Sequence, residues 1–380
     1  MVIIPVEIGA REAWGKVALR KAFQKKGIHA ITGPRAYCNW LASQTKNNLI
    51  FHDGAADRND RYNMLNKFHK NNHKIILMDT EGLFYSYPKI FDIRYPEKFK
   101  NGFDAAICWG PKVRRLIEKK FPDYGGHLLN LGNPQFIFWK DKTNQAKYKI
   151  IKHNKYNLWN TSFPRVNPRY KHTLNSSIKD KNIDMHVKRN FDFFIEALLK
   201  IAREFPEKNN FLRMHPNEDE NNYKKIIKKS GLTNIFFANS YGSFDWIIGA
   251  ENVFAHNCTT IVEAEICGKN HFNLALDNNF QNKEISTVSK PIDNISELLT
   301  QINGRKKNVQ MLNFLYHENI DIDLFVEKIT LRFQDFINEN NSKISRYKKC
   351  LPSLKWCFVN KAEKSKYDGK YIKKIENVFK

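Results

Sequence analysis

The stretch Asn252–Leu274, NVFAHNCTTIVEAEICGKNHFNL, joins a short apolar run to an amphipathic segment through a polar turn. Val253–Ala255 has the character of a buried strand, and Ile261–Cys267 has helical periodicity and ends at Gly268, as helices commonly do. A helix that opens directly after a strand presents free backbone N–H groups and a positive dipole end, which suit a phosphate. The stretch therefore predicts a strand–turn–helix unit with an anion site at its turn.

Two interpretations of this turn compete. Its hydroxyls could bind a phosphate while Glu263, one helical turn further on, reaches a ribose hydroxyl. Thr260 and Glu263 also have the spacing of an ordinary capping box. The stretch Phe211–Pro216, FLRMHP, favours the ligand site because it too is an apolar strand that ends in a basic turn. The candidate phosphate- and nucleotide-binding residues are Arg213, His215, Pro216, Asn257, Thr259, Thr260 and Glu263.

Length and composition indicate a globular chain with two domains. The chain has 380 residues, of which 42% are hydrophobic, and this is enough for two cores. Its formal net charge is +24, which is typical of proteins that meet nucleic acid, anionic lipid or phosphorylated ligands. The abundance of Lys, Asn, Ile and Phe matches an AT-rich genome, however, and weakens charge as a functional indicator.

Cysteine usage and hydropathy favour a cytoplasmic protein. The six cysteines show neither a C-x-x-C pair nor zinc-ligand spacing, which favours a reducing compartment over a disulfide framework. The apolar N-terminal run meets Glu7 at once and makes a poor signal peptide. No run reaches the roughly 20 apolar residues that a membrane-spanning helix needs.

Apolar strands alternate with amphipathic helices over most of the chain, which predicts an α/β fold with parallel sheets. Ligand sites in such sheets gather at the carboxyl ends of strands. Polar side chains follow several predicted strands there, at Glu7, Asp53, Glu81 and Asn133. We expect two Rossmann-like domains over 1–140 and 141–305, helices over 306–340 that return to the first domain, and a basic, aromatic tail over 341–380.

Several segments lack a clear alternating pattern. We interpret 135–148 as a polar linker, and 171–188 as a charge-rich loop or lid. Asp321-Ile322-Asp323 lies in a helical region, so we interpret it as structural and expect no metal site. The tail has two open interpretations: a solvated segment, or a peripheral contact with an anionic membrane through interleaved lysines and aromatic rings.

Three short motifs occur in order, each after a predicted strand: Asp79-Thr80-Glu81-Gly82, His215-Pro216 and Thr259-Thr260. This ordered set resembles the acidic–acidic–glycine turn, the His-Pro turn and the Ser/Thr pair of bacterial sialyltransferases and Kdo transferases. The resemblance implies a GT-B glycosyltransferase with two Rossmann-like domains whose parallel sheets face a central cleft.

A closer resemblance, to the surface carbohydrate biosynthesis proteins of bacterial polysaccharide loci, covers residues 1 to about 275. Thr80 stands where that family usually has an acid, which leaves Glu81 as the carboxylate of the turn, and Met214 stands where proline is common. The residues that carry the resemblance are Pro5–Glu7, Arg11–Glu12, Asp79–Gly82, Trp109–Gly110, Gly132–Pro134, Asn160–Phe163, Arg213–Pro216, His256–Thr260 and Glu263–Ala264.

This family resemblance implies transfer of an ulosonic acid, such as Kdo or a sialic-acid-like nonulosonic acid, from a CMP-activated donor to a glycan or lipid-linked glycan acceptor. Without a metal, Arg213, His215 and the threonine turn would stabilise the leaving CMP phosphate. Glu81 would act as the catalytic carboxylate together with His215. The residues expected on the donor-carboxylate or acceptor side are Glu7, Arg11 and Asn160.

Two other functions remain open. The first is a polyol-phosphate transferase of teichoic-acid type that uses CDP-glycerol, because it shares the GT-B plan and similar turns. The second is a basic nucleic-acid-binding protein, although no known RNA or DNA motif occurs and we expect no such partner. Each candidate side chain also has a plainer interpretation. His215 could be a strand-end histidine bonded to the backbone, Glu81 a solvated turn acid, and Arg11–Glu12 the charges of a first helical turn. His52 and Asp53 are interpreted as structural rather than catalytic.

Overall fold

The structure, a computed structural model, describes residues 1–55, 59–81, 83, 88–153, 155–169, 181–238, 240–276, 282–303, 320–341 and 369–378. The chain divides into two compact units. Unit 1 comprises Met1–Asp141 and Leu312–Lys380, and unit 2 comprises Lys142–Met311. Each unit contains a six-stranded sheet in which every described pairing is parallel.

The sheet of unit 1 has the strand order β2-β1-β3-β4-β5-β6. Its central strands are runs of apolar residues buried on both faces, as in a sheet covered by helices on each side. The strands are β1 (Val2–Val6), β2 (Ala30–Pro34), β3 (Leu49–His52), β4 (Lys74–Leu77), β5 (Ala105–Cys108) and β6 (His127–Asn130).

Helices connect these strands and cover the sheet. The helices of the first segment are α1 (Gly9–Lys25), α2 (Arg35–Gln44), α3 (Asn59–Lys70), α4 (Pro88–Arg94), α5 (Phe99–Gly102), α6 (Pro111–Lys120) and α7 (Pro134–Lys140).

The interpretation of 135–148 as a polar linker is wrong for its first part. Helix α7 buries Phe136, Trp139 and their apolar neighbours and packs against α1. The approach is so close that a Cβ on Gly15 would stand 2.4 Å from the backbone nitrogen of Gln135. The Gln135 side chain accepts a hydrogen bond from the Gly15 N–H. The apolar run FIFW, rather than the polar residues after it, accounts for the packed helix at this position.

Helix α15 (Ile322–Arg332) of the C-terminal region also packs on α1. It contributes Phe325, Val326 and Ile329 to the core of unit 1 and is followed by α16 (Gln334–Asn341). Asp321 caps α15 by accepting a hydrogen bond from the Leu324 N–H at 2.7 Å, which supports a structural role for the D-I-D sequence. The predicted helical residues 309–319 lie outside the described part of the chain.

The described part of the basic tail, 369–378, is packed rather than solvated. Helix α17 (Gly369–Val378) packs against α1 and buries Tyr371, Ile372 and Ile375. Arg20 of α1 pairs with Glu376 at 2.6 Å. Tyr371 was among the aromatic residues proposed for a membrane contact, and its burial removes it from that surface. Residues 342–368 lie outside the described part of the chain.

The sheet of unit 2 has the order β12-β11-β10-β7-β8-β9. Rings on one face form its core; Trp159 and Phe254 stack with centroids 4.1 Å apart. The strands are β7 (Tyr156–Asn160), β8 (Asn210–Arg213), β9 (Ile235–Phe237), β10 (Ala250–Ala255), β11 (Asn270–Leu274) and β12 (Pro291–Ile292).

The helices of unit 2 complete the second α/β set. They are α8 (Lys142–Lys147), α9 (Lys181–Glu204), α10 (Glu220–Ser230), α11 (Ser243–Ile247), α12 (Thr260–Ile266), α13 (Lys283–Val288) and α14 (Ile295–Asn303). Helix α9 begins at Lys181, so the predicted loop or lid is wrong for 181–188. The apolar face of this segment, rather than its charges, accounts for its helical structure. Residues 171–180 lie outside the described part of the chain.

Candidate functional site

The predicted donor-side residues gather at the carboxyl edge of the sheet of unit 2. In the strand register, Arg213 of β8 pairs with Asn160 of β7, Asn160 with Ala255 of β10, and Ala255 with Asn273 of β11. Residues paired in a parallel sheet point to the same face. Arg213, Asn160 and Asn273 therefore form a polar row, which we call the carboxyl-edge row, with the small Ala255 between Asn160 and Asn273.

Asn160 has the most unusual environment in this row. The residue is only 2% exposed, yet among the described residues neither Oδ1 nor Nδ2 of its side chain has a hydrogen-bond partner. The Asn273 Nδ2 is also buried and has no hydrogen-bond partner among the described residues. The Asn273 Oδ1, by contrast, accepts a hydrogen bond from the Asn257 N–H at 3.0 Å. A buried amide without a partner costs about 1–3 kcal/mol. Such groups are satisfied when a polar ligand binds beside them.

Asn160 lies in unit 2, next to Arg213 in the register. The cause is topological: β7 is the central strand between β8 and β10, so its carboxyl end opens into the middle of the predicted nucleotide site. The family resemblance grouped Asn160 with Glu7 and Arg11 on the donor-carboxylate or acceptor side, and that role stays a prediction.

His215 follows β8, and its geometry fixes which ring nitrogen can face a ligand. The Asn217 N–H donates to the His215 Nδ1 at 3.2 Å, so Nδ1 is an acceptor and the proton of the neutral ring lies on Nε2. Burial, with a smaller effect of Arg213, lowers the pKa of His215 below its ordinary value. His215 is therefore a neutral side chain whose Nε2–H can donate to a phosphate oxygen.

A buried carboxylate holds this turn in place. The Glu218 side chain accepts hydrogen bonds from the Thr161 hydroxyl and the Tyr223 hydroxyl, both at 2.6 Å, and from the Phe163 N–H. The Thr161 hydroxyl in turn accepts from the His215 N–H at 3.1 Å. Burial raises the pKa of Glu218, although these donors oppose the effect. Glu218 thus ties the loop after β7 to the His-Pro turn.

The predicted capping box at the threonine turn does not form. Helix α12 begins at Thr260, its N-cap is Thr259, and the N-cap side chain makes no capping hydrogen bond. Asn257 adopts a left-handed backbone with φ of 43°, and its buried Oδ1 has no hydrogen-bond partner among the described residues. The helix is only seven residues long, so side chains rather than its dipole carry most of the site.

Asparagines also line the opposite, amino edge of the same sheet. In register, Asn210, Asn157, Asn252 and Asn270 lie side by side. Each amide donates to the next: Asn157 to Asn210 at 3.1 Å, Asn252 to Asn157 at 3.0 Å and Asn270 to Asn252 at 3.1 Å. We call these four residues the amino-edge ladder. Their hydrogen bonds run between strands, which is a structural use of asparagine.

The remaining candidates lie in unit 1, where charges alternate along the carboxyl edge of the first sheet. Glu81 pairs with Arg11 through Oε1 and with Arg94 through Oε2, the second contact at 3.0 Å. The other members continue the alternation: Arg35 lies 2.7 Å from Glu7, Arg11 lies 3.8 Å from Glu7, and Arg94 binds both oxygens of Asp79. We call Arg35, Glu7, Arg11, Glu81, Arg94 and Asp79 the charge ladder.

Glu81 is ionised in this arrangement. Burial opposes its ionisation, but the guanidinium groups of Arg11 and Arg94 outweigh burial and lower its pKa below the ordinary value. The Glu81 N–H donates to Asp79 Oδ1 at 2.9 Å, and Trp109 donates through Nε1 to the Asp79 carbonyl at 2.6 Å. The turn is therefore fixed, and its exposed carboxylate carries a full negative charge.

Behind the charge ladder lies a second, buried cluster with a structural arrangement. Lys16 contacts Glu12 at 2.8 Å and pairs with Asp53. Glu12 also accepts from the backbone N–H groups of Glu7 and Ile8 at the start of α1. Burial raises the pKa of Asp53 to about 7, although Lys16 opposes the effect. Glu12 is thus a helix-end and ion-pair residue, rather than a ligand-facing one.

A cavity of about 710 Å³ opens in unit 1 at the amino ends of β4, β5 and β6. Two of its lysines are already paired: Lys74 with Asp104 at 2.9 Å and Lys100 with Asp123 at 3.0 Å. It lies at the edge of the sheet opposite to Glu7 and Glu81. None of the predicted site residues lines this cavity.

The described residues contain no cluster of three His, Cys, Asp or Glu side chains that could hold a metal ion. Metal independence stays a prediction. Within the same residues, none of the helices has the length and apolar character that crossing a membrane requires.

Sequence reasoning missed Asn273, Glu218 and Arg94. Asn273 lies inside the quoted stretch, and its position directly before Leu274, the last residue of β11, would have placed it at a strand end. Glu218 follows the His-Pro turn, but its burial depends on contacts with Thr161 and Tyr223 that no local pattern shows. Arg94 lies on α4, a helix that was not predicted from the sequence.

Comparison with known proteins gives evidence on the fold alone. No family model matches the chain, and no curated protein matches it. Similar solved structures include a UDP-GlcNAc 2-epimerase from Methanocaldococcus jannaschii in complex with UDP-GlcNAc and UDP, MnaA of S. aureus with UDP, and the wall teichoic acid polymerase TagF. The epimerase matches with a TM-score of 0.51 and 11% identity over 88% of this chain and 99% of its own. MnaA matches with a TM-score of 0.55 and 10% identity over 88% of this chain and 97% of its own, and TagF with a TM-score of 0.51 and 12% identity over 100% of this chain and 90% of its own. The chain thus has the GT-B fold, an α/β architecture of two Rossmann-like units.

Proposed function

We propose that the protein is a metal-independent GT-B glycosyltransferase that moves an ulosonic acid from a CMP-activated donor to a surface glycan or a lipid-linked glycan precursor. The observation that carries this proposal is the carboxyl-edge row together with the adjacent His215. The row supplies a cation, Arg213, and a buried amide, Asn160, that lacks a hydrogen-bond partner among the described residues. His215 adds a neutral imidazole donor. The similar structures that contain UDP or UDP-GlcNAc support a nucleotide-sugar ligand for this fold.

The chemistry of a CMP donor fits these groups. CMP departs as a phosphate monoester, and negative charge grows on the phosphate as the glycosidic bond breaks. Arg213 and the His215 Nε2–H would stabilise that charge, and Asn160 would hold a polar group of the nucleotide. Asn257, Thr259, Thr260 and Glu263 border the same edge, where Glu263 is proposed to bind the ribose. Pro216, which is exposed, ends the turn.

The acceptor hydroxyl must lose a proton, and we propose Glu81 as the catalytic carboxylate. Glu7 and Arg11 adjoin it in the charge ladder and are proposed to position the donor carboxylate or the acceptor. A peripheral membrane contact and a cytoplasmic location stay predictions, based on the basic tail and the scattered cysteines.

A second candidate, a polyol-phosphate transferase that uses CDP-glycerol, is favoured by the structural similarity to the teichoic acid polymerase. Incubation of the purified protein with CMP-N-acetylneuraminate, CDP-glycerol or UDP-GlcNAc separates the possibilities. Our proposal predicts release of CMP from the carboxylated donor, stimulated by a glycan acceptor. CMP release from CDP-glycerol alone would favour the second candidate, and epimerised UDP-GlcNAc would contradict both.

Variants then assign the roles. Glu81→Gln should lower transfer by about a hundredfold or more while CMP binding persists. His215→Asn keeps an acceptor for the Asn217 N–H but removes the Nε2 donor, so it should weaken CMP binding. Normal turnover in Glu81→Gln would remove the catalytic assignment.

A further inference from the structure

The three carboxylates of the charge ladder differ in exposure. The side chain of Asp79 is 4% exposed, that of Glu7 is 25% exposed and that of Glu81 is 45% exposed. Asp79 is fixed by both of its oxygens on Arg94. Glu81 is therefore the ladder carboxylate with the most freedom to leave its place.

The contact between Arg11 and Glu81 is incomplete. Glu81 meets Arg11 through one oxygen and Nη1, because its other oxygen is bonded to Arg94. The Arg11 Nε is buried and has no hydrogen-bond partner among the described residues, and Nη2 lies 3.8 Å from Glu7. A guanidinium binds a carboxylate best through two parallel N–H bonds. Glu81 thus holds Arg11 through a single N–H bond, and a carboxylate that took its place and spanned Nη1 and Nη2 would form two.

We propose that Glu81 holds, in the ligand-free protein, the place on Arg11 that the carboxylate of the donor sugar takes, and that this exchange releases Glu81 to accept the proton of the acceptor. The inference rests on the proposed function and makes it more specific. It assigns Arg11 as the residue that selects a carboxylated sugar over a neutral one. It also makes Glu81 a competitor of the substrate before it becomes a base.

The exchange changes basicity in the required direction. With two guanidinium groups on it, Glu81 has a lowered pKa and is a weak base. When the donor carboxylate takes Arg11, Glu81 keeps only Arg94, and its pKa rises toward the ordinary value. The other charges that face the pair are Glu7, Arg35 and Asp79 within the ladder and Glu12 behind Arg11.

The distinctive consequence is that removal of the proposed base strengthens donor binding. Glu81→Gln abolishes the competing charge, so its affinity for CMP-N-acetylneuraminate should rise by about twofold to fivefold, the range of one partly exposed ion pair. Its affinity for CMP, which has no sugar carboxylate, should stay unchanged. Arg11→Lys keeps the charge but loses the planar fork, and it should weaken binding of the carboxylated donor alone.

Isothermal titration calorimetry without an acceptor tests this, with CMP-N-acetylneuraminate and CMP as probes. The matched control is Glu118→Gln, which removes an exposed Arg–Glu pair of α6 with a 2.7 Å contact outside the ladder. This variant should bind both probes like the wild type. A Glu81→Gln variant that binds CMP normally but CMP-N-acetylneuraminate no more tightly overturns the exchange and leaves the proposed function standing. A wild-type protein that binds neither probe overturns both.

Discussion

Two rows of asparagines cross the sheet of unit 2, and they differ in one respect. In the amino-edge ladder, neighbouring amides bond to each other at 3.0–3.1 Å. In the carboxyl-edge row, Asn160 and Asn273 are as buried as the three buried members of that ladder. Among the described residues, however, Asn160 has no side-chain hydrogen bond and Asn273 has only one of its side-chain atoms bonded. Strand β7 contributes Asn157 to the first row and Asn160 to the second.

The comparison separates asparagine as a structural residue from asparagine as a ligand-binding residue. Asn270 is exposed at one end of the amino-edge ladder. The other three ladder amides are as deeply buried as Asn160 and Asn273, so burial does not distinguish these amides. What differs is whether the protein itself satisfies the amide. A fold that leaves an amide unsatisfied at a cost of about 1–3 kcal/mol is expected to do so at a functional edge.

The largest effect should come from the amino-edge ladder. Asn157→Ala removes the acceptor of the Asn252 amide and leaves that buried N–H without a partner. We expect the free energy of unfolding to fall by about 2 kcal/mol, measured by urea denaturation. The affinity of the folded protein for CMP should not change. A loss of CMP affinity with unaltered stability would abolish the distinction between the rows.

The matched change on the same strand, Asn160→Ala, should have the opposite profile. The native amide makes no protein hydrogen bond, so the free energy of unfolding should stay within about 0.5 kcal/mol of the wild type or increase. The affinity for CMP should fall roughly tenfold, which corresponds to about 1.4 kcal/mol. Calorimetry measures the CMP affinity of both variants and urea denaturation measures their free energies of unfolding, so the two variants are compared on both quantities.

A small pH effect should separate the two edges further, because His215 follows the Arg213 end of the carboxyl-edge row, whereas the amino-edge ladder consists of asparagines. The pKa of His215 is lowered in the folded protein by burial and by Arg213, so the unfolded chain binds its proton more readily. This histidine therefore reduces stability as the pH falls below about 6.5. Between pH 7 and 5, the wild type should lose a few tenths of a kcal/mol more than His215→Asn, since the residue is only partly buried. An equal loss in both proteins would contradict the environment assigned to His215.

Much of the fold follows from local sequence. Apolar runs such as Val2–Val6 and Val253–Ala255, separated by amphipathic segments, were enough to predict two parallel sheets, and the GT-B fold is confirmed. Helix α7 was missed because its run FIFW was averaged with polar residues. Its position depends on Gly15 of α1, which lies far away in sequence and permits the close approach.

The candidate site was less accessible to prediction. Arg213, His215 and Thr260 could be located because each follows a recognisable strand, and their roles stay predictions. The neighbours of Asn160 could not be inferred, since they depend on β7 lying between β8 and β10. The pairing of Glu81 with Arg94 depends on the course of the chain between them, and the unsatisfied amides appear only once neighbouring strands are in register.

The most direct measurement of the central claim is a crystal structure of the protein with CMP. Our account predicts the nucleotide at the carboxyl edge of unit 2, with its phosphate within hydrogen-bond distance of the His215 Nε2 and Arg213, and the Asn160 amide in contact with a polar atom of CMP. CMP bound elsewhere, or bound at this edge with the Asn160 amide still uncontacted, would contradict it.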